Sequence, residues 1–134
     1  MKIEFIRVGS KYESVVEKFS DFIQEKADAL YATSLSVKEL SRSMNVAYEI
    51  YKEYPLHIAF KESIVTDLIK KNYSLSYLTD EGMKQCKFII EEFITASITV
   101  KEAILLIEIF NSVIKNFPLN KNAVDSISVD LLFN

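Results

Sequence analysis

Apolar residues recur every three or four positions along most of the chain, a spacing typical of amphipathic helices. The first apolar stripe covers residues 15–30. The opposite side of this segment is acidic and carries Glu13, Glu17, Asp21 and Glu25. Because Ser10 and Glu13 have the spacing of a capping box, we expect this helix to begin near Ser10 and to end near Tyr31.

Two later segments, Ser36–Glu39 and Thr99–Glu102, have the same capping-box spacing. The first predicts a helix that continues to about Tyr54. The second predicts a helix that ends at Phe117–Pro118 and is apolar on nearly every side, so we expect it to be the central and most buried helix. Its narrow polar line consists of Lys101, Glu108, Ser112 and Lys115. We therefore expect the Glu108 carboxylate to lie in solvent.

Two further helices are predicted between these segments. Pro55 suits the first turn of a helix, because its fixed φ and missing N–H do no harm there, and an apolar stripe continues from it to Lys71. Thr79 can cap a helix over residues 80–96, whose first residues are acidic and oppose the positive end of the helix dipole.

The two ends of the chain alternate apolar and polar residues, as short strands do. Residues 2–8 form such a segment before Gly9, and residues 126–132 alternate in the same way. We therefore expect a mainly α fold, a compact bundle of about five helices in which these two terminal strands pair. No repeat or linker divides the chain, so residues 1–134 are expected to form a single helical domain.

Composition excludes several classes of protein. The chain is 49% apolar and 26% charged, with only 2 Gly and 2 Pro, so Gly-rich phosphate-binding loops cannot be built from it. Its net charge is -3, and its longest basic run is Lys70–Lys71. Binding to phosphates needs clustered positive charge, so a nucleic-acid partner is disfavoured. We expect a cytoplasmic protein without a membrane partner, because neither a membrane span nor a signal sequence is indicated.

Few residues could carry catalytic or metal chemistry. His57 is the only histidine and Cys86 the only cysteine, whereas a metal site ordinarily recruits several such ligands. Cys86 lies on an apolar stripe, where burial would leave its thiol unreactive. We therefore expect no catalytic residue, no metal, no cofactor and no enzymatic activity.

Residues 36–51, within the segment 36–54 that a DNA-binding regulator would use, resemble a helix-turn-helix unit. The positions that match are Leu40–Ser41 for Leu-Ala, Asn45–Val46 for the turn Gly and its following Val, and Tyr51 for an apolar residue of the second helix. The resemblance implies a turn at Asn45 and a recognition helix behind it. That helix carries Glu49 and Glu53 against Lys52. Because this charge repels phosphates, a DNA-binding regulator is our second hypothesis.

Tyrosines and carboxylates cluster near the end of the helix predicted over residues 36–54. Tyrosine is enriched among the residues that dominate binding energy at interfaces, and carboxylates steer basic partners. The predicted partner-binding residues are Tyr48, Glu49, Tyr51, Glu53 and Tyr54, with Glu91 and Glu92 as a second acidic pair. Our first hypothesis is a protein-binding inhibitor, an immunity or antitoxin-like protein that neutralises a basic toxin such as a nuclease by covering its active site.

Overall fold

The computed structural model describes residues 1–51, 78–120 and 125–132. Its helices are α1 (Glu13–Lys18), α2 (Ser20–Tyr31), α3 (Val37–Tyr51), α4 (Asp80–Thr95) and α5 (Val100–Lys115), and its strands are β1 (Lys2–Arg7) and β2 (Ser126–Asp130). The predicted mainly α fold with paired terminal strands is confirmed. The helix predicted to follow Pro55, together with His57, lies outside the described residues.

The start of the first helix differs from the prediction. Residues 10–12 form a turn, in which the Tyr12 N–H donates to the Gly9 carbonyl at 2.9 Å, and no side chain caps α1. The predicted capping box of Ser10 and Glu13 is therefore wrong. The turn brings Tyr12 into the core, where it is 1% exposed, and burying such a ring outweighs the ~1 kcal/mol that a cap supplies.

The same segment also breaks in its middle, where the sequence predicts one continuous helix. Phe19 has a φ of -116° and a ψ of 26°, which separate α1 from α2. The Phe19 N–H still donates to the Val15 carbonyl at 2.9 Å, and the Ile23 N–H donates to the Phe19 carbonyl at 2.8 Å. Because the four-residue hydrogen-bond spacing crosses the break, the buried and exposed sides continue from α1 into α2.

Helix α3 is continuous from Val37 to Tyr51. The turn at Asn45 that the helix-turn-helix resemblance implies is therefore wrong. Leu40, Met44 and Ala47 are at most 1% exposed, so one apolar stripe packs against the core on both sides of Asn45. Among the described residues other than glycine, only Ser97 has a positive φ, and Asn45 does not adopt the left-handed conformation that the turn requires.

The starts of α4 and α5 are capped as the sequence predicts. Thr79 accepts a hydrogen bond from the Gly82 N–H at 3.0 Å. Thr99 and Glu102 form a full capping box, in which each side chain accepts from the backbone N–H of the other residue. Helix α5 contacts α1, α2, α3 and β2, and it has more buried residues than any other helix in the described ranges. Among those helices, the prediction of a central, most buried helix is confirmed.

The two strands form a parallel pair. The Lys2 N–H donates to the Asp125 carbonyl at 2.7 Å, and the Leu131 N–H donates to the Arg7 carbonyl at 2.9 Å. The inward side chains of β2, Ile127 and Val129, are buried in the hydrophobic core. Parallel strands need a long connection, and the helices that lie between β1 and β2 in the sequence provide it.

Candidate protein-binding surface

The predicted partner-binding residues on α3 are described only in part. Tyr48 is half-buried and packs against the core, and Glu49 is exposed. The Tyr51 side chain, Glu53 and Tyr54 lie outside the described part of the chain. The role of this patch in binding therefore stays a prediction.

Tyr48 also lines a polar cleft between α3 and α5, with a volume of about 210 Å³. Its lining residues are Asn45, Tyr48, Glu108, Asn111, Ser112 and Lys115. The Asn111 amide N–H donates to the Asn45 side-chain oxygen at 2.9 Å, which joins the two helices across the cleft. The cleft is lined by one carboxylate, that of Glu108, and one ammonium group, that of Lys115. Because these two charges are opposite, the cleft itself does not favour a basic partner.

The predicted acidic pair on α4 is divided between two environments. The Glu91 carboxylate is exposed and lies 3.8 Å from the Lys87 ammonium one turn earlier. Glu92 instead accepts a hydrogen bond from the Lys26 ammonium at 2.5 Å. This bond raises the pKa of Lys26. Glu92 thus links α4 to α2, whereas Glu91 keeps its charge on the surface.

Lys26 belongs to a row of three lysines that pair with carboxylates of α4 and α5. The pairs are Lys11–Glu108 at 3.2 Å, Lys18–Glu102 at 2.7 Å and Lys26–Glu92 at 2.5 Å. We call this row the lysine border. Lys18 and Lys26 are eight residues apart, which is close to two helical turns, and Lys11 lies in the turn directly before α1. The ion pairs place all three where the α1–α2 segment meets α4 and α5.

Glu108 does not lie free in solvent, contrary to the prediction. Its side chain is 24% exposed, and its carboxylate accepts hydrogen bonds from the Lys11 ammonium and the Tyr12 hydroxyl, each at 3.2 Å. The turn before α1 is responsible, because it carries Lys11 and Tyr12 against α5. Burial raises the pKa of the Tyr12 hydroxyl, which keeps this group protonated and able to donate.

Glu102 has a second bond beyond its capping box. One carboxylate oxygen accepts from the Thr99 N–H at 3.1 Å, and the other accepts from Lys18 at 2.7 Å. Burial acts to raise the pKa of Glu102, but the hydrogen bonds from Lys18 and Thr99 outweigh it and lower the pKa. The same residue therefore starts α5 and attaches α1 to it.

Glu39 joins α3 to the start of α4. Ser36 accepts from the Glu39 N–H at 3.1 Å, which is half of the predicted capping box. The Glu39 carboxylate does not complete that box; it accepts from the Thr79 N–H at 2.9 Å and from the Thr79 hydroxyl at 2.8 Å. These bonds lower the pKa of Glu39, whose residue is 7% exposed.

With the border lysines engaged, the outer side of α1 and α2 is strongly negative. Its residues are Glu13, Glu17, Asp21 and Glu25, which we call the acidic face; all are exposed. Within the described ranges, the side chains of Glu13, Glu17 and Asp21 have no ion pair and no hydrogen bond. Glu25 lies 3.6 Å from Lys26, which Glu92 also contacts. The Lys26 ammonium therefore lies between the acidic face and Glu92 of α4.

The sequence prediction recognised the acidic side of this segment but did not assign it to binding. What it missed was the lysine border, because the carboxylate partners lie more than sixty residues away along the chain. The spacing of Lys11, Lys18 and Lys26 was the available signal. A spacing near two helical turns puts Lys18 and Lys26 on the same side of the segment, but it does not identify the carboxylates that they meet.

Nucleophilic and metal chemistry find no support in the described residues. Cys86 is buried, and this burial raises the pKa of its thiol to about 12, which leaves it protonated and unreactive. No group of His, Cys, Asp and Glu in the described ranges could hold a metal ion. Of the helices in those ranges, none combines the length and the apolar character needed to cross a membrane.

Comparisons with known proteins do not assign a function. No protein-family model, no curated protein and no solved structure matches the chain. The feature of the described surface that bears most on function is the contrast between the lysine border and the acidic face.

Proposed function

We propose that the protein binds and neutralises a basic protein, as an immunity or antitoxin-like inhibitor that covers the active site of a toxin such as a nuclease. The observation that carries this proposal is the acidic face. Its carboxylates recur every four residues over a length of about 18 Å. A partner that presents lysines and arginines along such a length would find three carboxylates, Glu13, Glu17 and Asp21, that no other side chain in the described ranges neutralises.

The acidic face does little for the stability of the fold. Like charges four residues apart on a helix destabilise it by ~0.2–0.5 kcal/mol per pair. Glu13 and Asp21 lie in the first turns of α1 and α2, where the helix dipole offsets part of this cost. Glu17 lies next to the last residue of α1, where the dipole disfavours a carboxylate. A role in binding accounts for a charge at Glu17 that the fold does not need.

The chemistry of a nuclease fits this surface. An active site that binds nucleic acid is lined by positive charge that neutralises phosphates. An acidic protein surface is attracted to such a site over several ångströms, which accelerates association and orients the two proteins before contact. A row of carboxylates on a helical surface is therefore suited to occupy the place of the phosphates.

The proposal is tested with the protein encoded by the neighbouring gene, purified in a catalytically inactive form. Calorimetric titration should show a one-to-one complex whose Kd rises with salt, because salt screens the attraction between opposite charges. Replacing both Glu17 and Asp21 by Lys should raise the Kd by at least about tenfold at low salt and by less at high salt. The active toxin should correspondingly escape inhibition by this variant.

The matched pair of single variants is Glu17→Lys on the acidic face and Glu81→Lys at an exposed carboxylate of α4, because each makes the same change of charge. Glu81 lies about 16 Å along α4 from Glu92, so this variant should leave the Kd nearly unchanged. Replacing both Glu49 and Glu53 by Lys tests the predicted patch at the end of α3. If only that double variant weakens binding, the acidic face is not the interface. If the neighbouring product is not basic or does not bind, the proposal is contradicted.

A further inference from the structure

The outer edge of β2 has backbone groups without partners. Lys2 and Arg7 of β1 bond to the backbone of Asp125 and Leu131, and successive residues of a strand direct these groups to opposite edges. The N–H and C=O groups of Ser126 and Ser128 therefore point away from β1. Within the described residues they have no hydrogen-bond partner, and both serines are exposed.

The outer edge of β1, by contrast, is covered by α2. The Ile3 N–H donates to the Gln24 side-chain oxygen at 2.9 Å, and the Gln24 amide donates to the Met1 carbonyl. Asp28 lies 3.4 Å from the N-terminal ammonium group. This edge of β1 is therefore occupied at Met1 and Ile3, whereas within the described ranges the outward backbone groups of Ser126 and Ser128 on β2 remain available to a further strand.

The edge of β2 also lacks the features by which proteins ordinarily prevent strands from pairing. Such features are charged side chains, prolines and bulges. Residues 126–129 contain no charge and no proline, and the irregularity in the strand pair lies between Phe5 and Arg7 of β1. The one charged residue of β2, Asp130, is engaged by the Arg7 guanidinium at the end of the strand.

We propose that β2 pairs antiparallel with β2 of a second copy of this chain, with Ser128 on the two-fold axis. A two-fold axis perpendicular to the sheet makes the pairing antiparallel and keeps the buried faces of both sheets on one side. Ser128 then exchanges two backbone hydrogen bonds with Ser128 of the second copy. The product is a four-stranded sheet in which each β2 occupies a central position. This proposal does not depend on the function proposed above.

The sequence of β2 is complementary to itself in this register. Residues whose numbers add to 256 face each other, so Ile127 lies beside Val129 of the second copy and extends the apolar face. Asp130 lies beside the uncharged Ser126, so the pairing brings no two carboxylates together. Like charges directly opposite would weaken a strand pair. A shift by two residues would place Asp130 beside Ser128 of the second copy and remove Ser128 from the axis.

Cysteine cross-linking tests this register. In Ser128→Cys the two introduced residues would face each other with Cα atoms about 5.5 Å apart, which a disulfide can span. Mild oxidation should therefore give a covalent dimer. In the matched variant Ser126→Cys the two copies of residue 126 would lie about 13 Å apart, and no such dimer should form. Cys86 is buried and does not compete.

Sedimentation at increasing protein concentration gives the independent measurement. The wild-type chain should pass from monomer to dimer, and Ser128→Pro should raise the dimer Kd by at least about tenfold, since it removes two hydrogen bonds. Proline is tolerated at this position of an edge strand because the Ser128 N–H has no partner within the monomer. Circular dichroism should confirm that the helical content of this variant is unchanged.

Two lysine variants keep the test decisive if the proline variant does not fold. Ser128→Lys places two ammonium groups opposite each other and should raise the dimer Kd by up to about fivefold. Ser126→Lys places its ammonium beside Asp130 and should not raise it. A wild-type chain that stays monomeric at every concentration overturns the proposal. Equal cross-linking of both cysteine variants, or equal effects of both lysine variants, overturns it as well.

Discussion

The two sides of the α1–α2 segment use charge in opposite ways. Along the lysine border, Lys11, Lys18 and Lys26 each meet a carboxylate of α4 or α5. Along the acidic face, Glu13, Glu17 and Asp21 meet no positive side chain within the described ranges. The number of charges on a helix therefore does not show which of them stabilise the fold and which are available for binding. The side chains across from each charge separate those that hold the fold together from those available to a partner.

The largest loss of stability should follow from a core cavity in α5, the helix that carries two carboxylates of the lysine border. Ile107 is fully buried in α5, which carries Glu102 and Glu108. Ile107→Ala should lower the free energy of unfolding by about 2–5 kcal/mol, through lost burial and the cavity left behind. Ile104→Ala, at a half-buried position of the same helix, should cost clearly less. Urea denaturation measures both, and equal losses would contradict this description of the core.

The next effect concerns Glu39, a carboxylate used wholly within the fold. A Cβ added at Gly82 would overlap the Glu39 carboxylate, so Gly82→Ala should destabilise the protein by about 1–3 kcal/mol. Alanine would otherwise stabilise a helix by up to ~1 kcal/mol relative to glycine.

The clash can be separated from other effects of the alanine with a double-mutant cycle. Glu39→Ala alone should cost about 1–3 kcal/mol, because it leaves the Thr79 N–H without its acceptor. When Glu39→Ala is already present, Gly82→Ala should become neutral or stabilising. If the cost of Gly82→Ala is the same in both backgrounds, Glu39 does not occupy this space.

A smaller effect is expected from acid. The hydrogen bonds from Thr79 lower the pKa of Glu39 in the folded state, and those from Lys18 and Thr99 lower the pKa of Glu102 despite its burial. A group with a lowered folded pKa stabilises the fold fully above its unfolded value, here 4.5, and loses that contribution as pH falls through the folded value. The melting temperature should therefore begin to fall near pH 4.5.

The variants Glu39→Gln and Glu102→Gln identify the groups responsible. Each should lower the melting temperature at neutral pH and flatten its decline in acid, because the titrating carboxylate is gone. Glu13→Gln, which removes a carboxylate without a hydrogen-bond partner in the described ranges, is the control. An equally flattened decline in Glu13→Gln would show that the two sets of carboxylates do not differ.

The sequence predicted the elements whose causes are local. Thr79 and Thr99 cap their helices through residues three positions away, and the apolar spacing of α5 predicted its central place. The alternation in the two terminal segments likewise predicted the strands. Such features need only neighbouring residues, so the sequence contains the information directly.

Where the structure contradicts a prediction from the sequence, the cause is a tertiary contact. The turn at Tyr12 buries an aromatic ring in the core in preference to a regular helix, and the break at Phe19 also falls at an aromatic residue that packs against the core. Glu39 has the capping-box spacing, yet its carboxylate is attracted to Thr79, forty residues away. Glu108 lies on a polar line, yet the turn before α1 brings Tyr12 to it. Sequence spacing does not specify such distant partners.

The smallest changes in stability are expected from single charge substitutions in the α1–α2 segment. A substitution in the lysine border should lower the stability, and one on the acidic face should raise it. Lys18→Ala removes an ion pair with Glu102 and should lower the free energy of unfolding by up to ~1 kcal/mol. Glu17→Lys replaces repulsion from Glu13 and Asp21 by attraction and should raise it by about 0.5 kcal/mol. Chemical denaturation at low salt measures both. A loss of stability in Glu17→Lys would mean that the fold uses this carboxylate.

The affinity of Glu17→Lys for the basic product of the neighbouring gene is the most direct test of the central claim. The variant should be at least as stable as the wild type, so a loss of binding could not be attributed to unfolding. We predict that its Kd is several-fold higher than that of the wild type at low salt and that the difference narrows as salt is added. An unchanged Kd across the salt series would contradict the assignment of the acidic face to partner binding.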